Sequence, residues 1–521
     1  MKQTTIKPLI LALALAAAMP AQAGEREQLE ALRATTQAII DALVEKGILT
    51  DEAAKALVKQ AEDKGQEKAD AAIKAEAAAG VVRVPYIPEV VKREIREQLR
   101  QEVVAQAKTE RWGDVNAVPE WVDRLKWEGD IRVRYQEDIF ASDNDIGTNF
   151  ITQPYGLGTA ANPINTSEDR SRTRVRARLG LLAKVSDSVS AGFRLTTGNT
   201  SDPVSTNQTL GVSGNKYSLV LDRAYGKAKP ADWLEITAGR IPNPFFSTDL
   251  VWDDDLNFDG VAAGFKPWAN RTMTAKPFFT VGVFPLQEVQ SSNTNKAKDK
   301  WLFAAQGAVD WRSGAYSSWR IGVSYYDYRN IKAVKDDISG DALYEYSDSI
   351  LSYRQKGNTV FQVAPVDKTD AYGLAADYRV INLTAMTDLS YFDPVHVIFS
   401  ADVVKNVGYD QAEVASLLGS AHEAKTQGWM FKTTVGKPSV SLSGDWQAYF
   451  GYRYLERDAV LDAFTDSDFN LGGTNSKGYF IGGLYGLDRN TWLSLKWQSA
   501  SEIDGLKYSV NVMQVDLNAK F

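Results

Sequence analysis

From Leu125 to the end, the chain alternates between apolar and polar residues with a period of two. Successive side chains of a β-strand point to opposite faces, so each alternating segment predicts a strand with one apolar and one aqueous face. In the first segment, Trp127, Ile131 and Val133 alternate with charged residues. We count sixteen such segments: 126–136, 170–185, 188–199, 217–229, 233–240, 258–266, 274–284, 302–311, 318–329, 380–392, 395–406, 428–436, 444–456, 478–487, 491–501 and 508–521.

The connections between these segments alternate between short and long. Tight turns are expected at 186–187, 230–232, 393–394, 437–439 and 488–490, and long polar loops at 138–169, 241–257, 330–379, 407–427 and 457–477. Short turns at one end and long loops at the other are typical of transmembrane β-barrels. The sequence therefore predicts an all-β transmembrane barrel of about 16 antiparallel strands, residues 125–521, with a short α-helical segment before it in the periplasm.

The closing strand ends in an aromatic residue. Its apolar positions are Met513, Val515, Leu517, Ala519 and Phe521, so the terminal ring ends the lipid-facing stripe. A terminal aromatic of this kind resembles the signal read by the barrel-assembly machinery. We expect that machinery to be a partner of Phe521.

The segment 24–124 is rich in Ala, Glu, Lys, Gln and Arg and has a helical pattern. Its first part places Leu29, Leu32, Ile39 and Leu43 on one helix face, at spacings that suit a short coiled coil. Such polar helices need a partner surface. Self-association would provide one; alternatively, the segment is a spacer between the barrel and the periplasm.

Residues 1–23 have the three parts of a secretory signal peptide. Lys2 and Lys7 come first, an apolar run follows from Leu9 to Ala18, and Ala21-Gln22-Ala23 forms a cleavage site. The run is well below the ~20 residues that a membrane-spanning helix needs. We expect cleavage after Ala23 and localisation in the bacterial outer membrane.

Composition narrows the possible chemistry. The chain has no cysteine and only two histidines, His396 and His422, neither with an evident nucleophile partner, so we expect no catalytic activity, metal site or cofactor. The net charge of −7 becomes about −9 once Lys2 and Lys7 are removed. An acidic protein of this kind does not favour nucleic acid as a partner.

The second strand carries five arginines at alternate positions: Arg170, Arg172, Arg174, Arg176 and Arg178. On a lipid-facing wall, each would cost about 2 to 4 kcal/mol at the membrane midplane, so they are expected to face the lumen. Arg132 and Arg134 on the preceding strand extend this ladder sideways.

The loop 241–257 differs from the others in its prolines, aromatics and clustered carboxylates. Asp249, Asp253, Asp254 and Asp255 lie in it, and in a sixteen-stranded barrel this connection is best placed to fold inward. Arginines on one wall and carboxylates on an inserted loop would create a transverse field that selects solutes by charge and size. Three alternatives stay open: the arginines pair with neighbouring carboxylates and select nothing, the acidic run is a solvated loop, or it binds Ca²⁺.

Three stretches resemble a family of bacterial outer-membrane proteins, the putative porins. One runs from Gly239-Arg240-Ile241-Pro242-Asn243-Pro244-Phe245 to Trp252-Asp253-Asp254-Asp255-Leu256-Asn257, another is the G-D-I-R-V-R-Y core within 127–135, and the third is 84–91. The resemblance implies a barrel with a helical N-terminal region and a channel role; our own expectation is passive or weakly selective diffusion of small hydrophilic solutes or ions. By analogy with general porins, it also implies a homo-oligomer, a trimer. A structural or adhesive barrel, plugged inside and anchored through its periplasmic helices, is the other hypothesis.

Overall fold

The computed structural model describes residues 122–150, 163–268, 273–336, 345–363 and 371–521, together with Lys59, Lys64, Glu97 and Leu99. The chain divides into two compact units, 1–119 and 120–521. The predicted signal peptide and nearly all of the predicted helical segment 24–124 lie outside the described residues. The described chain enters the first strand through a 3-10 turn, Val122–Arg124.

The second unit is built from sixteen long strands. In the described parts of the long connections, two-residue and three-residue strands also form, as do short 3-10 turns and the α-helix α1 (Gln411–Leu418). The long strands are β1 (Leu125–Phe140), β2 (Arg170–Lys184), β3 (Val189–Thr197), β4 (Leu219–Ala231), β5 (Leu234–Pro242), β6 (Asn257–Phe265), β7 (Ala275–Gln287), β8 (Lys300–Arg312), β9 (Ser317–Arg329), β10 (Arg379–Phe392), β11 (Val395–Asn406), β12 (Gln427–Gly436), β13 (Trp446–Leu455), β14 (Ser476–Asp488), β15 (Thr491–Glu502) and β16 (Ser509–Lys520).

Each long strand pairs antiparallel with the next, and β16 pairs with β1, so the sheet closes on itself. At the seam, Asp130 lies opposite Lys520 and Phe140 opposite Val510. The backbone amides of Gly129 and Phe521 each donate to the other's carbonyl at 3.0 Å. The prediction of a sixteen-stranded antiparallel barrel is confirmed.

The two faces of the wall differ in chemistry as the alternation predicts. On β1, Ile131 and Val133 point outward and are 47% and 43% exposed, whereas Arg134 and Gln136 point inward and are buried. On β7, Val281 points outward and is exposed, whereas Phe284 is buried in the interior. An apolar outer surface with paired backbone groups suits the hydrocarbon of a bilayer.

The strand ends carry short connections on one side and, for the most part, long ones on the other. Five short ones span 185–188, 232–233, 313–316, 393–394 and 489–490, and the longest of the others span 141–169, 198–218 and 330–378. The turn expected at 437–439 is longer and extends to residue 445. Its chain is held compactly because the Asp445 carboxylate accepts from the amides of Ser441 and Leu442, at 3.2 and 2.9 Å.

Within the described residues, every helix is too short or too polar to cross a membrane.

Candidate functional site: the barrel lumen

The arginine ladder of β2 faces the lumen. Leu179, on the opposite face of the same strand, is 44% exposed on the outer surface. The pairing of β1 with β2 sets Arg132 opposite Arg176 and Arg134 opposite Arg174 on one inward face. The seven predicted arginines therefore share one wall of the barrel.

Several of these arginines pair with carboxylates of the same wall. Arg134 donates to Asp516 on β16 at 2.7 Å, and Arg172 lies 3.0 Å from Asp138 on β1. Asp130 accepts from Arg178 at 2.7 Å and lies 2.9 Å from Arg176. The inward position of Asp516 follows from the alternation, but its partner depends on how β16 and β1 register across the seam.

Two loops add further carboxylates to the ladder. Asp255, from the connection 243–256, lies 3.2 Å from Arg178 and 3.7 Å from Arg176. Asp468, from the connection 456–475, lies 2.9 Å from Arg134. The predicted transverse field requires the loop carboxylates to face the arginines across open space. Asp255 instead bonds the arginines directly.

Three ladder arginines have no carboxylate within ion-pair distance among the described residues. Arg170 is exposed near the end of β2 that carries the long loops. Arg132 and Arg174 are half-buried and meet neutral groups instead, the side chains of Asn207 and Ser205.

The connection 243–256 reaches across the lumen from β5 and β6. Its Phe246 backbone exchanges hydrogen bonds with the Gln306 side chain of β8, at 2.9 and 2.7 Å. Thr248 donates to Asp402 of β11 at 2.6 Å, and Asp255 reaches β2. These contacts join widely separated parts of the wall through one segment.

Aromatic packing fixes the same segment against β6, β7 and β9. The Trp252 ring lies 4.9 Å from that of Phe258 and 5.1 Å from that of Tyr326. The Phe245 ring lies 5.5 Å from Tyr326. Small inward residues make room for these rings: a Cβ at Gly282 would lie 2.3 Å from the ring of Phe284.

The connection 456–475 supports the inserted segment from the other side. The amide of Ser467 donates to the Asp253 carboxylate at 2.9 Å, and the amide of Asp253 donates to the Phe464 carbonyl at 2.8 Å. Thr465 donates to the Leu250 carbonyl at 3.0 Å. Sequence reasoning missed this partner, because its Asp, Asn, Gly and Ser residues have the same composition as a solvated loop.

The four predicted carboxylates of the inserted segment are in different environments. Asp253 and Asp255 are buried, Asp249 is half-buried and Asp254 is exposed to the lumen. Burial raises the pKa of Asp253, and the charges of Asp255 and Asp466 add to this effect. Burial also opposes ionisation of Asp255, but Arg176, Arg178 and Arg132 outweigh it and lower its pKa.

Among the four carboxylates of the inserted segment, Asp254 is the one whose charge responds near neutral pH. The negative charge of Asp249 and the protein atoms around it raise the pKa of Asp254 to about 7. No cluster of His, Asp and Glu among the described residues is arranged to hold a metal ion.

The two histidines lie away from the inserted segment. His396 is held by Asp388, with Nδ1 2.7 Å from the carboxylate. His422 lies in the connection 407–426, where its Nε2 is 2.8 Å from Arg457 and 3.3 Å from the Thr359 hydroxyl.

The chain is similar to several solved structures of outer-membrane proteins. The outer membrane channel DcaP of Acinetobacter baumannii has 13% identity and a TM-score of 0.37, over 76% of this chain and 97% of that chain. Pseudomonas putida OprB has 11% identity and a TM-score of 0.44, over 77% and 96%. The trimer form of Vibrio cholerae OmpT has 10% identity and a TM-score of 0.38, over 76% and 99%. These likenesses concern the fold.

No curated protein matches the sequence. The sequence profile of the family described as putative porin matches residues 33–521, nearly the whole chain. The chain belongs to the putative porin family.

Proposed function

We propose that the protein is an outer-membrane channel for passive or weakly selective diffusion of small hydrophilic solutes or ions. Family membership supports a channel role. The observation that carries the proposal is the inserted segment 243–256, which is bonded to β2, β8 and β11 at once. A segment held in this way can narrow an aqueous path without closing it.

The selective part of the path is assigned to two surfaces. One is the arginine wall, with Arg170, Arg172, Arg174, Arg176 and Arg178 on β2 and Arg132 and Arg134 on β1. The other is the inserted segment, where Asp249 and Asp254 keep carboxylates near open space and Asp253 and Asp255 hold the segment in place. A charged wall facing a charged loop would orient dipolar solutes and set the preferred ion sign.

The experiment is single-channel recording of the purified protein in a planar bilayer, with the reversal potential measured under a salt gradient. Stable conductance steps are expected, and the reversal potential gives the charge preference. Absence of conductance steps from protein shown to be folded would overturn the proposal. It would favour the structural or adhesive barrel anchored through the segment 24–124.

Replacing Arg172, Arg174 and Arg176 by Gln should shift the reversal potential toward cation preference, because three positive charges leave the wall. Lys227→Gln is the matched control, since Lys227 also faces the lumen but pairs with Glu235 at 2.8 Å beside the short turn 232–233. An unchanged reversal potential in the triple variant would remove the arginine wall from the conducting path.

The proposal extends to assembly. We expect signal cleavage after Ala23, recognition of Phe521 by the barrel-assembly machinery and embedding in outer-membrane lipid. A homo-oligomer, a trimer by analogy with general porins, is supported by small outward residues on β4 and β5, including Gly226 opposite Ala238, which leave a flat face. Native mass spectrometry in detergent tests the subunit number, and a monomer at all concentrations would contradict the oligomer.

A further inference from the structure

Four inward arginines form a block at the centre of the charged wall. Arg132 lies opposite Arg176 and Arg134 opposite Arg174, so the block has two diagonals. One diagonal is neutralised: Arg134 pairs with Asp516 and Asp468, and Arg176 with Asp130 and Asp255. The other diagonal, Arg132 and Arg174, has no carboxylate within ion-pair distance in the described part of the chain.

Neutral side chains from one short stretch occupy the place where carboxylates would lie. Arg132 Nη2 donates to Asn207 Oδ1 at 2.5 Å, and Arg174 Nη2 donates to Ser205 Oγ at 3.4 Å. Asn207 Nδ2 in turn donates to Ser205 Oγ at 3.3 Å. The two guanidinium groups are therefore linked through a pair of uncharged residues.

This stretch is fixed in position. Gln208–Thr209 pairs with β2 at Arg174 and Val175, and the amide and hydroxyl of Thr206 donate to Asp255 at 3.3 and 2.9 Å. The arrangement is thus held by backbone pairing and by the inserted segment. It does not depend on the position of a free loop tip.

The unneutralised guanidinium groups also keep unused donors. Arg132 Nε and Arg174 Nε are both buried without a hydrogen-bond partner in the described structure. Diagonal neighbours on a paired sheet face have Cα atoms roughly 7–8 Å apart, within reach of side chains as long as arginine. Guanidinium forks match the oxygen pairs of carboxylate and phosphate groups.

We propose that Arg132 and Arg174, oriented by Asn207 and Ser205, form a binding site for a small oxoanion, a phosphate or carboxylate group, on the lumen wall. The bound anion takes the role that Asp130, Asp255, Asp468 and Asp516 play for the other diagonal. This inference deepens the channel function proposed above by naming a solute class. It rests on that function only for its role in permeation, because anion binding itself needs no open channel.

The first test is the effect of inorganic phosphate on chloride conductance of the full-length protein. Phosphate should reduce chloride conductance saturably. Arg132→Gln and Arg174→Gln should each raise the half-blocking concentration about tenfold, the loss expected for one charge-assisted hydrogen bond. Lys227→Gln, at a lumen lysine paired with Glu235, should leave it unchanged.

A gain-of-partner variant tests the site without removing an arginine. Asn207→Asp brings a carboxylate to Arg132 and should compete with phosphate, weakening the block by a similar factor. Succinate in place of phosphate tests which oxoanion the site prefers. A stronger block by succinate indicates a carboxylate group, and a stronger block by phosphate indicates a phosphate group. Phosphate and succinate both without effect on a conducting protein would overturn the site while the channel function stands.

Calorimetric titration of the folded, detergent-solubilised protein with phosphate separates the two proposals. If the wild-type protein does not conduct but binds phosphate with measurable heat, and this heat disappears in the Arg132→Gln, Arg174→Gln double variant, the site is supported and the channel function is overturned. Heat that persists unchanged in the double variant would place the anion elsewhere and overturn the site.

Discussion

Two walls of the same lumen follow opposite chemistry. The inward face of β1 and β2 carries guanidinium groups, whereas the inward faces of β6 to β9 carry Phe258, Phe284 and Tyr326 among small residues. Both faces have the period of two that a strand imposes, so the backbone alone does not distinguish them. The difference shows that facing inward does not mean facing water.

The aromatic wall needs apolar contacts and the arginine wall needs negative charge, and the segment 243–256 contributes to both. Its Trp252 and Phe245 bury apolar surface against the aromatic wall. Its Asp255 neutralises charge on the arginine wall. A segment with rings on one side and a carboxylate on the other is held between two unlike surfaces, so each anchor can be removed separately.

Removing the aromatic anchor should have the largest effect. Trp252 is 2% exposed, and Trp252→Ala should cost about 3–5 kcal/mol of unfolding free energy and release the segment, increasing conductance and its fluctuations. Denaturant unfolding followed by circular dichroism and single-channel recording measure the two effects. Trp429→Ala is the control, because Trp429 is 40% exposed on the outer face and stacks there on Tyr452. Wild-type conductance in Trp252→Ala would show that the aromatic wall does not hold the segment.

Removing the charged anchor should have a smaller effect. Asp255→Asn leaves Arg178 with Asp130 but removes a buried charge-assisted contact, at a cost of about 1.5–3 kcal/mol. The reversal potential should also move toward anion preference, since a negative charge leaves the lumen. Asp259→Asn, which affects an exposed pair with Arg240 on the outer face, should change neither quantity. Equal losses of unfolding free energy in Asp255→Asn and Asp259→Asn would contradict the role of Asp255 as an anchor of the inserted segment.

The smallest effect concerns the exposed carboxylate between the walls. Because the pKa of Asp254 is about 7, its side chain is mostly neutral at about pH 6 and mostly charged at about pH 8. Cation preference should therefore increase as the pH rises through this range, in a step visible in the reversal potential. Asp254→Asn should remove that step, and a step that persists in this variant would assign it to another group.

The barrel could be predicted from the sequence because its signal is repeated. Sixteen alternating segments, the turns between them and the terminal Phe521 all indicate the same closed sheet, so an error in one strand does not change the result. The five arginines of β2 were placed by the cost of charge in hydrocarbon, which depends on no distant contact.

The partners of those arginines could not be predicted in the same way. Asp130 and Asp138 lie on the adjacent strand, but which arginine each one meets depends on the register of β1 with β2. Asp468 and Asn207 come from loops whose composition gives no sign of an inward position. The aromatic wall was missed for a related reason: Phe258 and Phe284 are as consistent with a lipid-facing stripe as with a packed interior.

The seam between β1 and β16 also determines when the molecule can form. β1 is the first of the sixteen barrel strands to be synthesised, yet one of its two edges pairs with residues 510–520 of β16, the last of them. Until then the growing sheet has two open edges, which can pair with other chains. The barrel therefore closes only after residues 510–520 have been synthesised, and a truncation that removes β16 leaves both edges available for aggregation.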